Sequence, residues 1–384
     1  MIYINNNIFG GLDESKALIF VVDTSKIESG SSTNVQYKIP LQLKTGLYDV
    51  DCKYIIKWGD TTQSTITSSV DANLLHTYPF AGEYTIKIYP LSGASRISFF
   101  VNNLANRDRL KIREINQVGF AEIDSLYGCA NMRAFTATDF STYWNTKTDM
   151  SYMFAGWNTF NATLPSGFGN FPLATNVSYA FQSWFAFNQT LPAGFGNYPN
   201  ATNIDRTYQN WLAFNQALPS GFGNYPNAIS VVATYYDWRV FNQALPSGFG
   251  NFPLAINVSY AFQSWYAFNQ SITLTTSASL TYIVQAFHLS IFKNITISNC
   301  TNVSTITIYT FNVVPLETLI VNNLKISFTI QYSTFTKTAY LDLIASLKDM
   351  TALTSPTMTV KNVPAFDMDC DNAAAAKNWT VVKI

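Results

Sequence analysis

Residues 177–199, VSYAFQSWFAFNQTLPAGFGNYP, are one copy of a unit that returns every 27 residues. Its tryptophan recurs as Trp157, Trp184, Trp211, Trp238 and Trp265, and its Phe-Asn pair begins at Phe160, Phe187, Phe214, Phe241 and Phe268. A Leu-Pro-x-Gly-Phe-Gly-Asn block follows at 164–170, 191–197, 218–224 and 245–251, then an aromatic and Pro172, Pro199, Pro226 or Pro253. A fixed period of this size predicts a solenoid. One unit is too small to bury its own apolar face, so it buries that face against its neighbours.

Within the unit, Met150–Phe154 aligns with Val177–Phe181, Ile204–Tyr208, Val231–Tyr235 and Val258–Phe262. We read this segment as the short strand of each coil, with its first residue and its terminal aromatic facing inward. The Gly-Phe-Gly-Asn block is the opposite bend. Its glycines permit positive φ or close approach of adjacent coils, and its Phe fills the interior. The Phe-Asn pair adds a second core aromatic and an amide able to bond its own turn and the equivalent Asn one coil away. Five Trp at one coil position form either an interior stack or an outward stripe, and burial is the expectation for rings of this size. Positions that vary between near-identical copies are expected to face outward. Tyr152, Tyr179 and Tyr260 share a position with Arg206 and Ala233, while Gln182, Gln209 and Gln263 share one with Tyr236. Tyr152, Tyr179, Gln182, Gln209, Tyr236, Tyr260 and Gln263 are therefore the candidate partner-binding residues.

Away from the array, residues 1–92 read as a small β domain. Ala17–Asp23, Val35–Leu41, Tyr54–Trp58 and Tyr84–Tyr89 are short apolar or alternating runs, and Trp58–Thr62 is a tight turn. A β-sandwich is the natural closure for several such strands. Residues 93–148 read as a connector and amino-terminal cap repeat, because Tyr127 lies one period before Phe154 and a degenerate first unit begins near Ile123. Their charge run, from Arg107 to Glu114, reads as a solvated junction. Residues 149–270 are the regular array. Residues 271–337 are irregular repeats, with expected strands at Ile295–Ile297, Ile306–Ile308, Leu316–Val321 and Leu324–Ile330. Residues 338–384 form a small carboxy-terminal cap, with a helix over Thr338–Met350 because Tyr340, Leu341, Ile344 and Leu347 recur at helical spacing.

The composition narrows the function. Charged residues make up 12% of the chain, against roughly a quarter in an ordinary soluble domain. Lys+Arg and Asp+Glu balance at 23 each. Only Asp205, Arg206, Asp237 and Arg239 are charged between Met150 and Phe292. Without a basic stripe to neutralise phosphates, nucleic acid is excluded as a partner. A surface of Tyr, Trp, Asn and Gln suits a protein interface or a neutral glycan. No apolar run reaches the roughly 20 residues that span a bilayer, so no membrane insertion is expected. The amino terminus, Met1-Ile2-Tyr3-Ile4-Asn5-Asn6-Asn7, lacks the basic and apolar segments of a secretory signal. Cys52, Cys129, Cys300 and Cys370 are scattered without paired spacing, so four buried free thiols are expected rather than disulfides or a metal. An outward-facing protein without a signal sequence fits a virus particle assembled in host cytoplasm.

Two segments resemble known families. Asp149-Met150-Ser151-Tyr152-Met153-Phe154, then Trp157, then Phe160-Asn161, resembles the BspA-type leucine-rich repeats of bacterial surfaces and bacteriophages. Ile56-Lys57-Trp58-Gly59-Asp60-Thr61, with His76-Thr77-Tyr78 and Ala81-Gly82-Glu83-Tyr84, is similar to a PKD-like β-sandwich, although Thr61 stands where that pattern has glycine. The resemblance implies a mainly β chain: an amino-terminal β-sandwich, then a leucine-rich-repeat-like solenoid with 27-residue coils, then the cap. It also implies adhesion or a virion appendage, with no shared catalytic chemistry.

The residues offer little for catalysis. His76 sits in the sandwich motif and His288 in a repeat-like segment; neither has zinc or nucleophile partners nearby in sequence. Asp51 and Asp60 are weak calcium candidates, with Asp60 better suited to capping its turn. A glycosidase needs two carboxylates about 5–10 Å apart, and beyond Asp149 at its first position the array offers only Asp205 and Asp237, which can pair with Arg206 and Arg239 instead. Asp367, Asp369 and Asp371 read as a helix cap before Ala373–Ala376. No enzyme activity, metal or cofactor is expected. The expected function is that of a non-enzymatic bacteriophage virion protein, a capsid decoration, head fibre or tail component. It would assemble as a homo-oligomer with other virion proteins and possess a face for host-surface glycan. The alternative is a bacterial cell-surface adhesin for glycan or protein.

Overall fold

The computed structural model describes residues 12–42, 54–68, 71–91, 98–101, 107–312, 316–331, 333–361 and 365–384. It is mainly β, with a β-solenoid of about 11 turns. The chain divides into two compact units, Met1–Tyr143 with Gly156–Pro165, and Trp144–Ala155 with Ser166–Ile384.

The first unit is built on a six-stranded sheet in the spatial order Ala134–Phe135, Ile112–Gln117, Leu18–Asp23, Glu83–Pro90, Tyr54–Lys57, Gln63–Ile66. Alternation along the strands sets its buried face. Leu18, Phe20 and Val22 are buried beside Ile86 and Ile88, with Phe20 opposite Ile86 and Leu18 opposite Ile88. Ile112–Gln117 lies in the stretch read as a connector, yet it is hydrogen-bonded antiparallel to Leu18–Asp23.

The solvated-junction reading of the charge run is corrected here. Asp108 is 2% exposed and the Lys111 side chain is fully buried, 3.2 Å from it. Asp108 accepts from the backbone N–H groups of Ser32 and Lys38, both at 2.8 Å. Lys111 donates to the carbonyls of Ser32, Thr33 and Gln36. The two charges staple the 28–38 loop by satisfying its backbone, because a buried ion pair stays tolerable only when its remaining valences are filled. Arg109 adds bonds to Glu28 at 2.8 and 2.9 Å.

In the second unit, parallel bridges join Asp149, Asn176, Asn203, Ser230 and Asn257 in succession. The segment expected to be a strand is instead a pair of overlapping turns. Alternate N–H groups do different jobs. Val177, Tyr179, Phe181 and Ser183 donate to Asn203, Asp205, Thr207 and Gln209 one coil on, at 2.8–3.0 Å, whereas Ala180 and Gln182 close their own turns onto Val177 and Tyr179. The same pattern holds from Ile204 to Asn210. Two positions per copy are left-handed: Tyr152, Tyr179, Arg206, Ala233 and Tyr260 at φ 53–60°, and Ser183, Asn210, Asp237 and Ser264 at φ 63–68°. A chain that reverses twice in seven residues cannot continue as a strand.

The interior is aromatic. Phe154, Phe181, Tyr208, Tyr235 and Phe262 are fully buried, as are Trp184, Trp211, Trp238 and Trp265. Those four Trp rings stack at 5.5–5.7 Å with interplanar angles of 4–9°. Each indole Nε1 donates to a backbone carbonyl, Trp184 to Phe154, Trp211 to Phe181, Trp238 to Tyr208 and Trp265 to Tyr235, at 2.7–2.8 Å. In the first unit Trp157 is buried and donates to Leu126.

Shorter coils carry regular strands. Ser271–Leu274, Asn294–Ile297 and Thr318–Val321 pair in parallel, as do Phe328–Gln331, Thr357–Lys361 and Thr380–Lys383. Of the expected strands, Leu316–Val321 therefore shortens to Thr318–Val321, and Leu324–Ile330 is replaced by Phe328–Gln331. Ile306–Ile308 is no strand; Thr305 alone bridges to Tyr282. The expected helix runs from Lys337 to Ser346, capped by the Thr336 side chain on the Ala339 N–H, and ends where Leu347 becomes extended. A second helix, Met368–Ala376, is capped by Asp367. Cys129, Cys300 and Cys370 are free and buried; Cys52 lies outside the described residues.

Candidate interaction face

The left-handed turn position aims a side chain outward from each coil, and neighbouring strands of a parallel ladder lie about 4.8 Å apart. Equivalent aromatics on successive coils are thereby brought to stacking distance. Tyr152 and Tyr179 stack with centroids 4.4 Å apart and planes 11° from parallel. The Arg206 guanidinium lies 5.2 Å from the Tyr179 centroid and donates to its hydroxyl. Tyr152 keeps 40% of its surface exposed, while Tyr179, Arg206 and Tyr260 are half-buried. Ala233 leaves the column short between Arg206 and Tyr260.

Three residues along each copy runs the second column. Gln182 donates to the Gln209 side-chain oxygen at 2.8 Å, and Gln263 meets His288 Nδ1 at 3.3 Å. Tyr236, half-buried between these pairs, has its phenol pushed up by desolvation and by the Asp237 carboxylate. Burial also pushes the His288 imidazole down, which favours its neutral form beside the amide. The structure thus brings Tyr152 to Tyr179 and Gln182 to Gln209. Sequence reasoning missed Arg206 as the third layer of the stack, and it missed Phe185 and Tyr266, which are 37% and 47% exposed. Their signal was the same variation between copies: their coil position holds Asn158, Phe185, Leu212, Arg239 and Tyr266.

Asp205 and Asp237 have structural work. The Asn176, Asn203 and Asn257 side chains each accept the N–H two residues on, at 2.9–3.1 Å. Ser230 stands at that position in the fourth copy and has no such oxygen at that reach. Asp205, one coil earlier, supplies it: its carboxylate accepts from the Val232 N–H and the Ser230 hydroxyl, both at 2.7 Å. Asp237 is held by Arg239 at 2.9 and 3.0 Å. In the first unit His76 stacks on Trp58 at 4.6 Å and shares a 2.7 Å bond with Asp60. Asp60 also accepts from Thr62; desolvation opposes ionisation, but these bonds outweigh it and hold the carboxyl below its usual range. Among the described residues no group of three or more His, Cys, Asp or Glu is placed to hold a metal, and no helix is long and apolar enough to cross a membrane. No protein-family model, curated protein or solved structure matches the chain.

Proposed function

We propose that the chain is a non-enzymatic structural and attachment protein of a bacteriophage particle, on the head or the tail. In this reading a PKD-like β-sandwich at the amino end mediates assembly, as a homo-oligomer or with other virion proteins. A leucine-rich-repeat-like solenoid of 27-residue coils presents the face that meets a host-surface glycan or a protein. The observation that carries the reading is the Tyr152–Tyr179–Arg206 stack beside the Gln182–Gln209 pair. A rigid row of rings and amides, with Arg206 as its one cation, suits stacking and hydrogen bonding to a partner of little net charge.

Imaging of purified particles with a tag on this chain tests the location. Label on particles supports the proposal; label confined to bacterial cells replaces it with the adhesin reading. Binding to host cells then tests the face. Tyr152→Ala with Tyr179→Ala is expected to abolish attachment while thermal melting stays near wild type. Affinity should also fall only slightly as salt rises, because Arg206 is the one charge in the row and the contacts are otherwise rings and amides.

A further inference from the structure

The first unit holds a groove of about 400 Å³ on the strand ends around the Trp58–Thr62 turn, lined in part by Lys57, Thr61, Gln63, Thr85, Lys87 and Tyr89. Its charges do not cancel. Lys87 is paired with Glu14 at 2.9 Å, and the Tyr89 hydroxyl donates to the same carboxylate at 2.9 Å. Lys57 is exposed, and no carboxylate lies within salt-bridge distance of it among the described residues; its ammonium rests 5.2 Å from the centroid of the buried Tyr89 ring. That contact steadies the ammonium over the groove, and the Glu14 carboxylate, which also lines the groove, feels Lys57 as well as its direct partner Lys87. Two lysines thus share one carboxylate, and the groove keeps one net positive charge.

A second observation points to the same place. Thr61 lies at φ 75°, in the left-handed region. A β-branched side chain enters that region only at a cost, whereas glycine adopts it freely. Sparsely populated backbone conformations collect at ligand sites, where the strained side chain is used. Thr61 is exposed and borders the groove, next to the exposed Gln63 and Thr85. The close packing below it is obligatory: a Cβ on Gly59 would lie 2.6 Å from the Thr85 carbonyl oxygen.

We propose that this groove binds a uronic acid, a sugar ring bearing one carboxylate. Lys57 takes the carboxylate, and Thr61, Gln63 and Thr85 serve the ring hydroxyls. The volume suits one or two sugar rings. A small inorganic anion would need the ammonium but not the hydroxyl and amide row. A neutral sugar would leave Lys57 unused.

Titration of the full chain with sodium glucuronate, followed by saturation-transfer NMR or calorimetry, tests the site, with glucose and acetate as comparators. Glucuronate is expected to bind saturably, glucose about tenfold more weakly or worse for want of one charge-assisted hydrogen bond, and acetate about tenfold more weakly or worse for want of the bonds to the ring hydroxyls. Lys57→Gln should weaken glucuronate by about tenfold with an unchanged melting temperature. Thr61→Gly should raise the melting temperature and yet weaken binding, a combination that a purely structural role does not produce. Acetate binding as tightly as glucuronate, or Lys57→Gln binding like wild type, overturns the proposal. So does Thr61→Gly with unchanged affinity, or an absence of saturable glucuronate binding. This binding should weaken with salt more steeply than that of the solenoid face, so failure of one site leaves the other standing.

Discussion

Trp211 shows what a single residue does in this protein. It is fully buried between Trp184 and Trp238, and its indole N–H satisfies the Phe181 carbonyl at 2.7 Å. Trp211→Ala removes two stacking contacts and leaves a buried carbonyl without its donor. The expected loss is about 3–5 kcal/mol, as for other large buried aromatics, measured by denaturant unfolding. A loss below about 1 kcal/mol would mean that the column tolerates gaps. The core tyrosines give a pH signature. Tyr208 and Tyr225 share a 3.0 Å hydroxyl contact, with the buried hydroxyls of Tyr198 and Tyr235 at hand. Burial pushes Tyr225 up to about 12 and Tyr198, Tyr208 and Tyr235 well above their usual range. The unfolded chain ionises near pH 10, so the folded state holds protons that the unfolded state releases. The contribution of these tyrosines to stability is therefore whole below about pH 10 and falls as pH rises beyond it. Replacing the four tyrosines by Phe should flatten that alkaline fall in melting temperature. An identical alkaline limb would place its cause elsewhere.

The Gly-Phe-Gly turn is the element that permits the coils to close up. Gly167 and Gly169 are both left-handed, at φ 79° and 77°. They differ in surroundings. A Cβ on Gly167 meets nothing within 4 Å, whereas one on Gly169 would lie 2.2 Å from the Phe195 ring. Phe195 is itself buried and cannot swing away. Gly167→Ala should cost about 1–2 kcal/mol through the backbone alone. Gly169→Ala should add about 1–3 kcal/mol of overpacking to the same backbone term. Equal losses in a urea melt would show that the interior yields at this turn. The amide ladders supply the polar counterpart. Asn188, Asn215 and Asn242 each accept the N–H of the equivalent Asn one coil on, at 2.9–3.3 Å, and the following Gln side chain as well. Register is specified by apolar and polar groups together.

At the scale of the whole molecule, stability should follow the register of coils rather than chain length. Deleting Trp184–Asn210, which is 27 residues, rejoins Ser183 to Trp211 and presents every donor with an equivalent acceptor. The shortened chain is expected to keep a cooperative melt. Deleting half as many residues from the same region sets turns against rings and breaks the bridge series that begins at Asp149. That variant should lose cooperative unfolding by circular dichroism. Equal damage from both deletions would mean that the period records duplication without stacking.

Much of this was legible in the residues. The solenoid, the buried Trp column, the Gly bends, the Asn ladder and the Asp367 cap follow from spacing, side-chain size and hydrogen-bonding capacity, which are local properties. The stretch 150–154 was misread because an apolar first residue and a terminal aromatic suit a strand and a double turn equally. Only the hydrogen bonds alternating between the coil and its neighbour decide between them, and these need the next coil in place. The same holds for charge. Nothing in the chain order ties Asp108 and Lys111 to the backbone of residues 32–38, or Asp205 to the position where Ser230 lacks an amide. Sequence by itself determined that this chain must stack and what it buries. Tertiary structure decided where the few charges go and which rings meet on the outside, because those choices depend on groups that are distant along the chain and adjacent only after folding.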